Sequence, residues 1–167
     1  MRDLSRARRV KLFIKQKVFT LVPEFTVKDE FGNDRWFVKG KFLSFEREHI
    51  IYNMHGQPVA RIHRELFRIL SRYHLEVNGQ KIAEIVREFS FFKPRYHIEG
   101  SNLRVEGDWL AHEYTIFEHD RPIMQISKQW FSWGDSYMLD IPNPQHELLA
   151  LGLVLAIDIC LSQQHGA

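Results

Sequence analysis

The chain has few of the features that cross-link a protein or direct it to another compartment. Its 167 residues include one cysteine, Cys160, which excludes an internal disulfide and the zinc sites built on paired cysteines. No apolar run of roughly 7–15 residues follows the basic start, as a secretory signal would require. We therefore expect a single cytoplasmic domain over residues 1–167, with a basic N-terminal segment at residues 1–11.

Sequence motifs that would identify a catalytic activity are also missing. There is no Gly-x-Ser-x-Gly elbow and no glycine loop of the kind that cradles phosphates. His112-Glu113 lacks the second histidine of a metalloprotease helix, because residue 116 is isoleucine. His63, His74 and His97 could converge if their strands are neighbours, but scattered strand histidines are the simpler interpretation. We predict no enzyme activity, no metal and no cofactor.

Positive charge is concentrated at the N-terminus, although the net charge of the chain is only +2. Residues 1–17 hold seven basic groups and one acid, which leaves 16 basic and 20 acidic groups, net −4, in the rest. An acidic remainder argues against nucleic acid as a partner, since a nucleic-acid platform needs aromatic side chains on a basic face.

The longest apolar stretch is residues 148–161, LLALGLVLAIDICL, in which Asp158 is the only charge. Asn143 and Pro144 can begin a helix there, so we predict a helix over residues 144–164. Fourteen residues rise only about 21 Å, whereas a bilayer core is roughly 30 Å thick. A helix that is apolar on every side must be surrounded. We interpret it as a core helix of a soluble domain, not as a membrane span.

Asp158 is the most informative single charge, because a carboxylate in a surrounded helix has to be paired, neutral or at the rim of the core. We expect a structural role, with the carboxylate bonded to strand backbone or to a base such as Arg64, Arg87 or Lys128. Cys160, in the same helix, is expected to be a small buried hydrophobe.

An internal repeat organises the rest of the chain. Its three copies align on Ile62, Ile85 and Ile126, with a turn residue six positions before each isoleucine. A base follows two positions later, a tyrosine eleven later, an aliphatic thirteen later and an acid fourteen later: Arg64, Tyr73, Leu75 and Glu76; Arg87, Tyr96, Ile98 and Glu99; Lys128, Tyr137, Leu139 and Asp140. We expect each base to pair with the acid of its copy across strands. A fourth, degenerate copy of the repeat is centred on Val38.

A repeat of this length holds two strands and cannot cover its own apolar face. The longer gap before the third copy fits an extra hairpin over residues 103–118. We therefore predict a mainly β fold, a closed antiparallel barrel of about twelve strands around the C-terminal helix.

Three stretches resemble a known family: residues 14–19 (IKQKVF), residues 126–137 (ISKQWFSWGDSY) and residues 150–160, which end in LAIDIC. Together they are similar to the LURP-one-related family, in particular its short bacterial members, and through it to the tubby C-terminal domain and the phospholipid scramblases. The resemblance implies a twelve-stranded barrel threaded by a hydrophobic helix. It implies no activity, because the bacterial members have no established role, tubby domains bind phosphoinositides and scramblases move lipids. Residues 140–144 lack the spaced carboxylates of a calcium loop.

The leading functional hypothesis is a binding module that contacts anionic phospholipid through its N-terminal bases. The predicted lipid-binding residues are Arg6, Arg8, Arg9, Lys11, Lys15 and Lys17. Bases near an anionic leaflet contribute about 1 kcal/mol each. A solvated basic end without function is the competing interpretation. A protein-interaction scaffold, or a small-molecule carrier with a cavity beside the helix, are alternatives that the sequence leaves open.

Overall fold

The computed structural model describes residues 9–15, 24–41, 48–65, 69–88, 95–131 and 134–162. These residues form twelve strands and one α-helix, α1. The strands are β1 (Val10–Lys15), β2 (Glu24–Asp29), β3 (Asp34–Lys41), β4 (Glu48–Tyr52), β5 (Pro58–Arg64), β6 (Arg72–Val77), β7 (Gln80–Glu88), β8 (Arg95–Glu99), β9 (Leu103–Asp108), β10 (Glu113–Glu118), β11 (Arg121–Phe131) and β12 (Gly134–Ile141). A single 3-10 turn (Pro144–His146) leads into α1 (Glu147–Ser162).

All twelve strands belong to one antiparallel sheet, in the order β8-β7-β6-β5-β4-β3-β2-β1-β12-β11-β10-β9. The first strand therefore pairs with the last along all six of its residues, from Val10↔Ile141 to Lys15↔Ser136. The two edge strands, β8 and β9, contact each other without a hydrogen-bonded ladder among the described residues. The predicted twelve-stranded barrel is confirmed, with the refinement that it is nearly closed.

The internal repeat is a hairpin repeat with a constant register. The isoleucine of each copy lies opposite the aliphatic thirteen positions later, in the pairs Ile62↔Leu75, Ile85↔Ile98 and Ile126↔Leu139. This register places each base opposite the tyrosine, as in Arg64↔Tyr73. The predicted pairing of base with acid is therefore wrong, because the acid lies three residues farther along the strand than the position facing the base.

The strand directions give the barrel two distinct ends. The tight turns at residues 30–33, 53–56, 78–79 and 119–120 all lie at one end, together with the start of β1 and the start of α1. We call this the turn end. The opposite end, which includes residues 109–112 and the last turn of α1, is called the loop end.

The helix α1 begins as predicted and runs through the barrel from the turn end to the loop end. The Asn143 side chain accepts a hydrogen bond from the Gln145 backbone N–H, and Pro144 occupies the first turn. Every residue from 150 to 161 is buried, including Cys160. Residues 163–164, the end of the predicted helix, lie outside the described residues.

Length and composition alone would allow one segment, Pro144–Leu161, to cross a membrane. Of this segment, 72% is buried inside the protein, as expected for a core helix. Leu75 packs so closely on Gly152 that a Cβ added there would lie 2.7 Å from Leu75 Cδ1. At this level the barrel is filled, which counts against a carrier cavity beside the helix.

Candidate functional site

The described members of the predicted basic set, Arg9, Lys11 and Lys15, lie along the outer side of β1. Strand alternation turns Leu12 and Ile14 into the core and leaves Lys11 and Lys15 on the outside. Arg9 precedes the strand with the same parity. At about 3.3 Å per residue, Arg9 and Lys15 lie roughly 20 Å apart. The set is therefore a stripe rather than one patch, and Arg6, Arg8 and Lys17 lie outside the described residues.

The turn-end part of this stripe borders a cleft of about 370 Å³. The cleft is lined by Arg9, Val10, Lys11, Asp29, Glu30, Phe31, Asn33, Arg35 and Pro144. The Phe31 side chain, at the tip of the β2–β3 turn, is 67% exposed. Two of the predicted bases thus meet an exposed aromatic ring at the entrance of the barrel, and Lys15 does not.

Arg35 is a third base in this cleft, and it belongs to no sequence motif that would have singled it out. Its guanidinium forms a bidentate contact with Glu147, with Nη2–Oε2 2.9 Å and Nε–Oε1 3.2 Å. The same carboxylate accepts a hydrogen bond from the Trp36 indole at 2.8 Å. The hydrogen bond to Glu147 raises the pKa of Arg35. These contacts fasten β3 to the first turn of α1 beneath the cleft.

Two of the three cleft cations, Arg9 and Arg35, form ion pairs with carboxylates that lie outside the cleft lining. Arg9 is paired with Asp140, the residue directly opposite Lys11. Asp29 accepts the backbone N–H groups of Phe31 and Asn33, both at 2.9 Å, and so shapes the turn that carries the aromatic ring. Among the described residues Lys11 forms no ion pair, so it is the cleft cation whose charge has no carboxylate partner.

A second unusual group lies at the loop end, inside the barrel. Asp158 Oδ1 is 3.2 Å from His112 Nε2, and both side chains are close to 10% exposed, at 10% and 11%. The His112 ring stacks on Tyr137, with centroids 4.4 Å apart. Burial raises the pKa of Asp158 to about 6, with the His112 contact acting in the opposite direction.

The structure places Asp158 in the core, as expected, but its partner is His112 and not one of the three suggested bases. Sequence reasoning missed this contact because His112 was considered only as part of a metal motif. The register places Lys128 and Arg87 on strands facing Tyr137 and Tyr96. Desolvation raises the pKa of both Tyr114 and Cys160, and the nearby Asp158 charge adds to the effect in each case. Cys160 is thus a buried thiol with little tendency to ionise.

The histidines considered for a metal site lie along one network of charged side chains, which Arg72 joins through Glu84 and Glu99. His63 and His74 stack with centroids 5.1 Å apart, directly opposite each other on β5 and β6. His97 instead lies between Glu88 and Glu99, at 2.9 and 2.7 Å. Within the described ranges, no three histidine, cysteine or acidic side chains are grouped as metal ligands.

Comparison with known proteins identifies relatives along nearly the whole chain. A family model described as LURP-one-related matches residues 10–158. The uncharacterized protein YxjI of Bacillus subtilis (strain 168) is 29% identical over 152 residues, covering 91% of this chain and 94% of that protein. An X-ray structure of an Arabidopsis thaliana protein has a TM-score of 0.61 at 17% identity, with 92% of each chain covered. The plant structure supports the fold alone.

Proposed function

Starting from the fact that the chain belongs to the LURP-one-related family, we propose that it is a non-enzymatic barrel module that binds anionic phospholipid as a cytoplasmic, peripheral membrane protein. The observation that carries the proposal is the turn-end cleft, where Arg9, Lys11 and Arg35 surround a space beside the exposed Phe31. Cations attract the headgroups of an anionic leaflet, and an aromatic side chain is well suited to the interface between headgroups and acyl chains. The family and its named relatives give no sign of catalysis.

The topology supports an end-on approach to the membrane. The chain enters β1 at the turn end, where Arg9, the first described residue, lines the cleft. Met54, 53% exposed, lies in the β4–β5 turn of the same end, two strands from the turn that carries Phe31. Two exposed apolar tips and a basic rim therefore belong to one end of the barrel, with the core helix held inside it.

The direct test is co-sedimentation of the full chain with vesicles of phosphatidylcholine alone or with phosphatidylserine added. We expect recovery on the anionic vesicles only, decreasing with salt because the attraction is screened. Arg9→Gln with Lys11→Gln should weaken binding about 30-fold, since two bases contribute about 2 kcal/mol. Phe31→Ser should weaken binding while leaving its salt dependence unchanged.

The matched control is Lys39→Gln with Arg87→Gln, which removes two charges at positions that do not line the cleft. This pair should bind as the unmodified protein does. If both double variants lose vesicle binding equally, the loss is due to the lower net charge. The cleft would then be excluded as the binding site. Equal recovery of the unmodified protein on both kinds of vesicle would refute lipid binding altogether.

The second candidate is a protein-interaction scaffold, which the loop end favours. Ile69 is fully exposed there and Leu110 is 55% exposed. Exposed large aliphatics are common recognition residues when they belong to one surface. Replacement of Ile69 and Leu110 by Ser leaves the turn-end cleft untouched, so loss of a partner in that variant with intact vesicle binding would support the scaffold instead.

A further inference from the structure

Two charges of opposite sign border the turn-end cleft without a partner in the described part of the chain. They are Lys11, on the outer side of β1, and Glu30, in the β2–β3 turn. The pair Leu12↔Asp29 is the last of the β1–β2 ladder towards the turn end, so Lys11 and Glu30 occupy the next positions beyond it. Neither side chain forms a hydrogen bond or an ion pair with the other or with any other described residue.

The other charged side chains of the cleft are already engaged by the protein. Arg9 and Arg35 pair with carboxylates outside the lining. The Asp29 carboxylate accepts three hydrogen bonds within its own turn, two from backbone N–H groups at 2.9 Å and one from a side-chain amide at 3.2 Å. Lys11 and Glu30 are therefore the two charges that the cleft offers to a ligand.

The balance of charge around the cleft is slightly negative. Three cations line it, and four carboxylates accompany them, two in the lining and two as partners of the arginines, net −1. A ligand that brought only a phosphate would meet Glu30 as a like charge, which opposes binding. A ligand with an ammonium group beside its phosphate would instead compensate both Lys11 and Glu30.

Extending the proposed lipid binding, on which this inference rests, we propose that the cleft recognises a phosphodiester headgroup that carries a primary ammonium group. The phosphate lies at Lys11 and the ammonium at Glu30. Among phospholipids with a single net negative charge, the cleft therefore prefers phosphatidylserine to phosphatidylglycerol, which has hydroxyl groups in place of the amine. Phe31, next to Glu30 in the turn and 67% exposed, offers an aromatic ring to the acyl-chain side of such a lipid.

Co-sedimentation with phosphatidylcholine vesicles that contain equal mole fractions of phosphatidylserine or phosphatidylglycerol tests the preference, because the two vesicles have the same surface charge. We expect binding to be about two- to fivefold tighter on phosphatidylserine, the contribution of an exposed ion pair. Glu30→Gln should reduce this ratio to about one, since it removes the partner of the ammonium group.

Asp120→Asn serves as the control. It removes one carboxylate from the β10–β11 turn, at the same end of the barrel, at a position that does not line the cleft. This variant should keep the preference for phosphatidylserine. Both substitutions are at exposed turn positions, and thermal unfolding of each variant checks that the barrel is intact.

Soluble glycerophosphoserine, added as a competitor, distinguishes a membrane lipid from a free headgroup. We expect it to bind more weakly than the vesicles, because it has no acyl chain for Phe31 to contact. Glycerophosphoserine that bound as tightly as the vesicles would identify a small soluble ligand and overturn the assignment to a lipid.

The remaining outcomes separate this inference from the proposed function. Equal binding to the two anionic vesicles, with none to phosphatidylcholine alone, would overturn the ammonium preference and leave lipid binding intact. Binding to none of the vesicles would refute both. A preference that persisted in Glu30→Gln, or that disappeared in Asp120→Asn as well, would overturn the role of Glu30.

Discussion

Two buried titratable side chains, His49 and Asp158, should change the stability of this barrel in opposite directions as the pH falls. Desolvation lowers the pKa of His49 from 6.5 to about 4, with the neighbouring Glu48 charge acting against it. The folded state therefore keeps His49 neutral. Its contribution to stability is complete above pH 6.5 and is lost as the pH falls towards 4.

Asp158 behaves in the reverse sense, because its folded pKa is raised to about 6 from 3.8. Its contribution is complete below pH 3.8 and is lost as the pH rises through 6. One pKa unit corresponds to about 1.4 kcal/mol, so each group shifts the free energy of unfolding by about 3 kcal/mol across its range. Between pH 4 and 6.5 the two contributions nearly cancel in the unmodified protein.

Single variants should reveal how each side chain makes the free energy of unfolding depend on pH. His49→Gln leaves Asp158 to act alone, so its stability relative to the unmodified protein should rise by about 3 kcal/mol on acidification. Asp158→Asn should lose about the same amount relative to the unmodified protein, because it lacks the Asp158 contribution that increases on acidification. Urea unfolding at several pH values measures both differences. The contributions of the other carboxylates cancel when the stability of a variant is compared with that of the unmodified protein at the same pH. Parallel curves for the three proteins would refute this account of the two side chains.

Three further predictions follow from individual contacts. Gly152→Ala should destabilise the protein by about 1–3 kcal/mol because its Cβ would press on Leu75, and Leu75→Ala should recover part of the loss in the double variant; thermal unfolding measures both. Glu147→Gln should cost about 1.5–3 kcal/mol of stability in urea unfolding, since it weakens the contacts to Arg35 and Trp36. In vesicle co-sedimentation, Asp158→Leu should bind like the unmodified protein although its stability changes, because Asp158 lies at the loop end; intact stability with lost binding would contradict its structural role.

Much of the fold could be predicted because its signals are local and repeated. The spacing of Ile62, Ile85 and Ile126 recurs with the same companions, and the structure turns that spacing into one hairpin register. The core helix was equally predictable from sequence, since residues 150–161 are apolar on every side apart from Asp158. Every one of these residues is buried. The strand content and the central helix therefore needed no long-range information.

The contacts between distant elements could not be predicted from local sequence patterns. His112 meets Asp158 from a loop 46 positions away, and Arg35 meets Glu147 across 112 positions. Neither pair has a spacing rule, because each depends on where the sheet curves and how far the helix penetrates. The predicted pairing of repeat bases with acids failed for a related reason, since periodicity shows which residues correspond but not the register in which they face each other. Lys15 was grouped with Arg9 by proximity in sequence, although strand geometry separates them.

The position of α1 after the twelfth strand determines when the chain can fold during synthesis. A ribosome adds about 5–20 residues per second, so the earliest strands wait on the order of ten seconds for the element that fills them. Throughout that time the inner face of the growing sheet has nothing to pack against. A nascent chain released before residue 147 would therefore be a substrate for chaperones and proteases, whatever the quality of its strands. The element that fills the sheet is thus made only after all twelve strands.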